Sequence, residues 1–264
     1  FEIPETVVKR HRLAAKFGLF IKIMTRKNYQ RDAFQSIMRS LWRPTGELRF
    51  RWLGDDIFLC EFSLEDDRKK VLRTEPWNFN KFLIAMEPIA DEGHTVNPTF
   101  RYVSFWIQVH NVPIVHMNVE TAELIGNRIG KFLDVDADDS GSCIGRFMRI
   151  RVKIHLDQPL RKGIFLKLGS IDHLIWLDFK YEKLLEFCTL CGFLDHGYRE
   201  CLQSYPTVLK KPGNHRYSEN IRAMGNQKIL KVSIPRNTSI KNFSTNNHRR
   251  PNGGSHIEEE DMNN

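Results

Sequence analysis

Glu47-Leu-Arg-Phe-Arg-Trp-Leu53, then Gly54-Asp55, then Ile57-Phe-Leu-Cys-Glu-Phe62 is the stretch that decides the fold. Apolar residues alternate with polar ones on either side of a Gly-Asp turn, which is the signature of two antiparallel strands. Ahead of this hairpin, Phe17 to Thr25 reads as a strand, and Asn28 is placed to cap a helix. That helix carries Phe34, Ile37, Met38 and Leu41 on one face at i, i+3, i+4 and i+7. After the hairpin, Ser63-Leu-Glu-Asp66 reads as a capping box for a helix containing Val71 and Leu72, and Phe82 to Met86 reads as a closing strand. The order βαββαβ predicts an α+β domain of ferredoxin-like type over residues 10–90. Where RNA-recognition sheets carry stacking aromatics, this hairpin has Ile57 and Leu59 with Asp55 in front. The expectation is a sheet face that stacks no bases and that something else covers.

Beyond a loop around Gly93 to Thr99, a second α+β block is expected over residues 100–183, in the order βαβββ. Its elements are a strand from Tyr102 to Val112, a helix from about Asn118 to Leu133 with Ala122, Ile125, Ile129 and Leu133 on one face, and three later strands. The first of these three alternates most regularly. Met148, Ile150, Val152, Ile154 and Leu156 point one way, and Arg149, Arg151, Lys153 and His155 the other. At ~3.3 Å per residue such groups recur about every 6.6 Å, close to the phosphate spacing of a single strand. The stripe fits either a track for a nucleic-acid backbone or the solvated face of a half-buried strand. Ile164 to Leu168 and Leu174 to Tyr181 complete the block. Asp134, Asp136, Asp138 and Asp139 do not make a calcium loop, because the sixth position is Asp139 rather than Gly and the twelfth is Gly145 rather than Glu.

The chain then reads Cys188-Thr-Leu-Cys191-Gly-Phe-Leu-Asp-His196-Gly-Tyr-Arg-Glu-Cys201, which is C-x2-C-x4-H-x4-C. Three thiolates and an imidazole at this spacing can surround one Zn2+ ion as a closed tetrahedron, leaving no open position for an activated water. The site is therefore expected to be structural, in a knuckle over residues 184–203 whose 14 residues from Cys188 to Cys201 are ordered by the metal and disordered without it. Zinc knuckles bind single-stranded nucleic acid through exposed rings and neighbouring cations. The candidates here are Phe193, Tyr198 and Arg199. Gly192 follows the second Cys, Asp195 stands where a second Gly is usual, and Thr189 where an aromatic is common. Cys60 and Cys143 stand alone and read as small buried apolar residues.

Formal net charge is +8, from 40 Lys and Arg against 32 Asp and Glu. Residues 203–264 hold ten of the bases and five of the acids, so the excess is concentrated there, with Lys210 and Lys211 at its start. This tail, residues 204–264, is rich in Asn, Ser, Lys and Arg and is expected to be disordered and to seek polyanions. A hydrophobic content of 41% is enough for folded cores, while no apolar run nears the ~18–20 residues needed to span a bilayer. No secretory leader is evident, five cysteines show no disulfide pattern, and an intracellular protein follows, in nucleus or cytoplasm. The chain opens at Phe1 rather than Met, as a truncated or processed copy would. No nucleotide-binding, hydrolase or zinc-protease motif occurs, so neither an enzyme nor a small-molecule substrate is expected.

The ordered run Leu41-Trp-Arg-Pro-Thr-Gly46, Pro76-Trp77, Phe105-Trp-Ile-Gln-Val-His-Asn-Val-Pro113, Ile125-Gly-Asn127 and Trp176-Leu-Asp-Phe-Lys-Tyr-Glu182, with the adjoining knuckle, resembles a plant protein family. In it a domain of unknown function precedes a C-x2-C-x4-H-x4-C knuckle, in LINE-type (non-LTR) retroelement reading frames and host copies derived from them. The resemblance spans about residues 10–202. It implies a zinc-binding, nucleic-acid-binding protein of retroelement origin, with Cys188, Cys191, His196 and Cys201 as ligands, and it names no active site. Two readings stay open. One is a binder of single-stranded RNA or DNA. The other is a protein adaptor that self-associates through the ferredoxin-like block.

Overall fold

The computed structural model describes residues 17–89, 98–169, 174–203 and 215–224. The expected disorder of the tail, with Lys210 and Lys211, falls outside the described residues, apart from residues 215–224. The alternation read from the hairpin is realised in a five-stranded antiparallel sheet built from β1 (Gly18–Ile23), β2 (Leu48–Gly54), β3 (Ile57–Phe62), β4 (Trp77–Phe79) and β5 (Phe82–Pro88). Its spatial order is β2-β3-β1-β5-β4, the ferredoxin-like arrangement with a short hairpin strand added beside β5. The hairpin register runs from Leu48 opposite Phe62 to Trp52 opposite Phe58, and Asp55 and Asp56 take the left-handed conformation in the turn.

Two helices cover one face of this sheet. Helix α1 (Arg31–Trp42) buries Phe34, Met38 and Trp42, one turn apart, against Leu19, Ile21, Ile23 and Phe58. Gln30 rather than Asn28 is the residue that precedes it, and Arg43 closes it in the left-handed conformation just before Pro44. Helix α2 (Glu65–Arg73) begins after Leu64, and the capping box at Ser63 is not made, because the Ser63 amide instead donates to the Glu47 carbonyl at 3.0 Å. Three acids in its first turn offset the helix dipole.

One of these acids also holds the preceding loop. The buried Asp67 carboxylate accepts hydrogen bonds from the backbone N–H groups of Thr45 and Gly46, at 3.0 and 2.8 Å. Burial pushes its carboxyl up, but those two bonds and nearby Lys70 outweigh it and hold the group below its usual 3.8. The unfolded chain therefore binds this proton more tightly, so the contribution is present above about pH 3.8 and is lost as pH falls further. Asp67→Ala is expected to cost about 2 kcal/mol at neutral pH. Urea titrations at pH 7 and pH 3 check this, with the mutant penalty shrinking in acid.

The second sheet comprises β6 (Tyr102–His110), β7 (Lys131–Val135), β8 (Met148–His155), β9 (Gly163–Lys167) and β10 (Leu174–Tyr181), in the order β7-β8-β6-β10-β9. Advance every strand label of the first sheet by five and this order results. Helix α3 (Val119–Ile129) follows the sheet's first strand as α1 follows β1, and the Asn118 side chain caps it by accepting from the Thr121 N–H at 2.9 Å. The helix expected to reach Leu133 stops at Ile129, and residues 131–135 form β7, so the block is βαββββ. Gly130 allows the change of direction. A Cβ there would lie 2.3 Å from the Lys153 carbonyl oxygen, so only glycine lets the chain turn from the helix onto β8.

The second block has no helix between its third and fourth strands. Over that part of the sheet, Leu160, Leu184, Phe187, Leu194, Tyr217 and Ile221 join Phe105, Leu177, Phe179 and Tyr181 in one core. Here the knuckle and residues 215–224 complete the hydrophobic layer that α2 completes in the first block. The first block joins the same core through Leu83 and Ala85, with Phe20, Met24 and Ile57 packed against it. The face expected to be covered is thus covered in part from within the chain: Ile57 packs against this core, and both Ile57 and Leu59 are half-buried. Both sheets and the knuckle lie in one compact unit.

Candidate metal centre and nucleic-acid interface

Beyond β10 the chain is pinned by buried Leu184 and Phe187 and then turns sharply. The Gly192 N–H donates to the Cys188 carbonyl at 2.7 Å, and the Cys188 N–H donates to the Phe193 carbonyl at 2.8 Å. This double closure presents both thiols to one point. A short 3-10 turn over Tyr198–Glu200 brings in Cys201. The ligand atoms of Cys188, Cys191, His196 and Cys201 all lie within 4.8 Å of one another. A tetrahedron with arms of ~2.3 Å has edges of about 3.8 Å, so the four donors fit around one ion with little adjustment.

The imidazole is held for that role. His196 Nε2 lies 3.4 Å from Cys191 Sγ, while Nδ1–H donates to Asp195 Oδ1 at 2.6 Å. A carboxylate behind a ligating histidine fixes its tautomer and raises its basicity. Asp195, read from sequence as a departure from glycine, is that carboxylate, and its other oxygen lies 3.9 Å from Arg26. Burial pushes the Cys188 and Cys191 thiols up. It also pushes on Cys201, but hydrogen bonds from His196 and the Gln203 backbone hold that thiol below its usual value. His196 is lifted in spite of burial by its bonds to Cys201 and Asp195. Metal binding to these thiols therefore releases protons.

Residues 215–224 form a strap across the knuckle. Thr189 Oγ1 and His215 Nδ1 are 2.6 Å apart, the Tyr217 N–H donates to the Thr189 carbonyl at 2.9 Å, and the Ala223 N–H donates to the Tyr181 carbonyl at 3.0 Å. Thr189, in the place where an aromatic is common, is buried as the strap's anchor. Gly192 sits at φ 85°, and a Cβ there would come within 2.3 Å of the Tyr217 ring. Gly192→Ala combines left-handed strain with overpacking and should destabilise the knuckle by about 2–4 kcal/mol. Thermal melting of the metal-loaded protein is the check.

The expected contact residues divide into two groups. Phe193 and Tyr198 are half-buried in the knuckle's own cluster beside exposed Arg199. The Tyr198 ring lies 5.0 Å from His215, and its hydroxyl accepts from Arg199 Nε at 3.0 Å. The basic stripe is partnered inside the chain. Arg149 makes a bidentate pair with Glu182 at 2.9 and 3.0 Å, reaches Asp136 at 3.2 Å and lies over Trp106. Arg151 Nη2 donates to the Leu72 carbonyl at 2.9 Å, beside buried Glu75, and Lys153 lies over Tyr102. Burial holds Glu75 above its usual value, against the pull of Ser104, Arg151 and Lys153. Sequence reasoning missed Asp195 as an orienting group, although it adjoins His196, and it missed His215, for which the sequence carries no signal.

Fold and site together define an α+β chain with duplicated sheets and a closed Cys3His cluster. Residues 18–92 match the family described as Domain of unknown function (DUF4283), and residues 154–203 match the family described as Zinc knuckle. The second match begins in β8 and takes in both later strands, the part of the chain that shares a core with the knuckle. The chain is 27% identical over 165 residues to "Uncharacterized protein At4g02000" of Arabidopsis thaliana, covering 61% of this chain and 50% of that one. It thus spans about half the length of the curated relative it matches. Two solved structures also align. One is the C. elegans NONO-1 homodimer, at 10% identity, 53% of this chain, 50% of that chain and TM-score 0.24. The other is the first two RRM domains of yeast poly(U)-binding protein Pub1, at 11%, 51%, 81% and 0.22. At scores this low neither carries weight for fold or function.

Proposed function

We propose that this chain binds single-stranded nucleic acid, RNA or DNA, through a zinc-loaded knuckle, and that it derives from a LINE-type retroelement reading frame. The observation that carries the reading is the convergence of Cys188, Cys191, His196 and Cys201 within 4.8 Å, in a segment that matches a zinc knuckle. Three thiolates and one imidazole suit Zn2+, and a closed set of four leaves it a structural role. Arg199 with Tyr198 and Phe193 offers a cation and rings at the knuckle, and the Lys- and Arg-rich tail supplies salt-dependent affinity. The run of family motifs supports the retroelement origin. The activity is binding rather than catalysis, in an intracellular setting where the five free cysteines stay reduced. Among the described residues no helix is long and apolar enough to cross a membrane.

Fluorescence anisotropy with a short unstructured RNA, at several salt concentrations and before and after chelation, tests this. Binding should weaken on chelation and fall steeply with salt, and joint neutralisation of Lys210, Lys211, Arg249 and Arg250 should flatten the salt slope. Absence of binding by the loaded protein at low salt would overturn the reading.

A further inference from the structure

Among the described residues, each of the four broad sheet faces is occupied at least in part. The first sheet lies under α1 and α2 on one side and contributes Leu83 and Ala85 to the second block's core on the other. The second sheet carries α3 and the knuckle on one side. On its remaining side the β8 half is tied to Glu182 and to Leu72 of the first block by Arg149 and Arg151. Among the described residues, the β9–β10 end of that side is open.

Phe165 and Trp176 face each other across the two strands there, with ring centroids 4.8 Å apart at 64°. Phe165 is 63% exposed, Trp176 37% and neighbouring Leu174 54%. The indole is oriented by its own strand, its N–H donating to Asp178 Oδ1 at 2.7 Å, so the ring is held in place while remaining exposed. Register places Lys167 beside Leu174, and alternation along β10 puts Lys180 on the same side. Lys180 and Arg146 both bear electrostatically on His110, which pairs with Asp178. Asp178, the acid at the centre of this end, has both oxygens engaged, one by Trp176 and the other by Asn111 at 3.0 Å. The result is a fixed aromatic pair in a cationic surround. An apolar protein partner would have to desolvate those cations, whereas a polyanion with flat bases needs both features.

We propose that Phe165 and Trp176 form a stacking platform for unpaired bases of single-stranded nucleic acid, with Lys180 and Arg146 beside the phosphates. This rests on the nucleic-acid reading above and adds to it a contact surface separate from the knuckle.

The test is anisotropy of the full, metal-loaded chain with a labelled 15-nucleotide unstructured RNA. Phe165→Ala should weaken binding at least fivefold and leave the salt slope unchanged, because it removes a ring and no charge. Phe165→Trp should stay within twofold of the parent, and Lys180→Gln should lower the salt slope by about one. A 4-thiouridine version of the RNA should crosslink to the peptide spanning residues 163–180 of the unaltered protein, which keeps the test valid if a variant folds poorly. If the parent binds RNA while Phe165→Ala binds equally well and no such crosslink forms, the platform is wrong and the knuckle reading stands. If the parent binds nothing, both fail. A change in oligomeric state of Phe165→Ala by light scattering, with RNA affinity intact, would reassign the patch to protein contact and overturn the proposal.

Discussion

Chelating the ion from this chain is expected to release residues 188–201 together with the strap, while the first sheet stays folded. Zinc-finger peptides gain about 10–16 kcal/mol of apparent binding energy, and in isolated units that energy is the folding energy. This knuckle differs from an isolated bead. Phe187, Leu194 and Tyr217 belong to the second sheet's core, so loss of the ion should loosen that core as well as the 14-residue loop. Hydrogen exchange resolves the pattern. The amides of Cys188, Gly192, Tyr217 and Ala223 should lose protection, those of β8 and β10 should weaken, and those of β1 and β3 should hold. The second block's thermal transition should fall by roughly 10 °C or more. Cys188→Ser should reproduce the pattern without chelator. Unchanged protection across residues 188–201 would remove the ion from any structural role.

Trp42→Ala should have the largest effect in the first block. The side chain is 1% exposed and stacked on Phe50, with ring centroids 5.8 Å apart and planes at 20°. Phe62 and Trp77 close around it at 6.0 and 6.3 Å. Removing a buried indole from such a cluster costs about 3–5 kcal/mol, a large part of the ~5–15 kcal/mol that keeps a domain folded. The indole N–H has no partner among the described residues. Trp42→Phe therefore discards no hydrogen bond and should cost well under half as much. Urea midpoints for the two variants decide it, and equal losses would mean that ring area is not what Trp42 contributes.

The hairpin at residues 47–62 was legible because each of its strands buries one side, so period-two alternation is written into the residues themselves. The helix with Phe34 and Met38 was legible for the same reason at a period of 3.6. The four ligands were legible because metal geometry demands a fixed spacing. Other elements left no such trace. Strand β4 is three residues long, too short to alternate, and β7 is mostly exposed and held by backbone pairing to β8 rather than by a pattern of its own. Tyr217, Ile221 and Ala223 are buried singly within a polar stretch, so the strap looked like part of the tail. The stripe on β8 shows the limit most clearly. Its alternation fixed which side Arg149, Arg151 and Lys153 take but carried no information about Glu182, Leu72 and Glu75, which come to them from distant parts of the chain.

The layer that α2 supplies in one half of this duplicated architecture is supplied in the other by a segment whose order depends on an ion. By mass action, a ligand that binds only the native form adds about 2.7 kcal/mol when free at a hundred times its dissociation constant, and nothing when absent. The two halves therefore answer to different variables. The first is as stable as its sequence makes it, whereas the second rises and falls with the supply of metal around it. In a metal-poor cell the population able to resist proteolysis would shrink from the C-terminal half inward, leaving an intact N-terminal sheet.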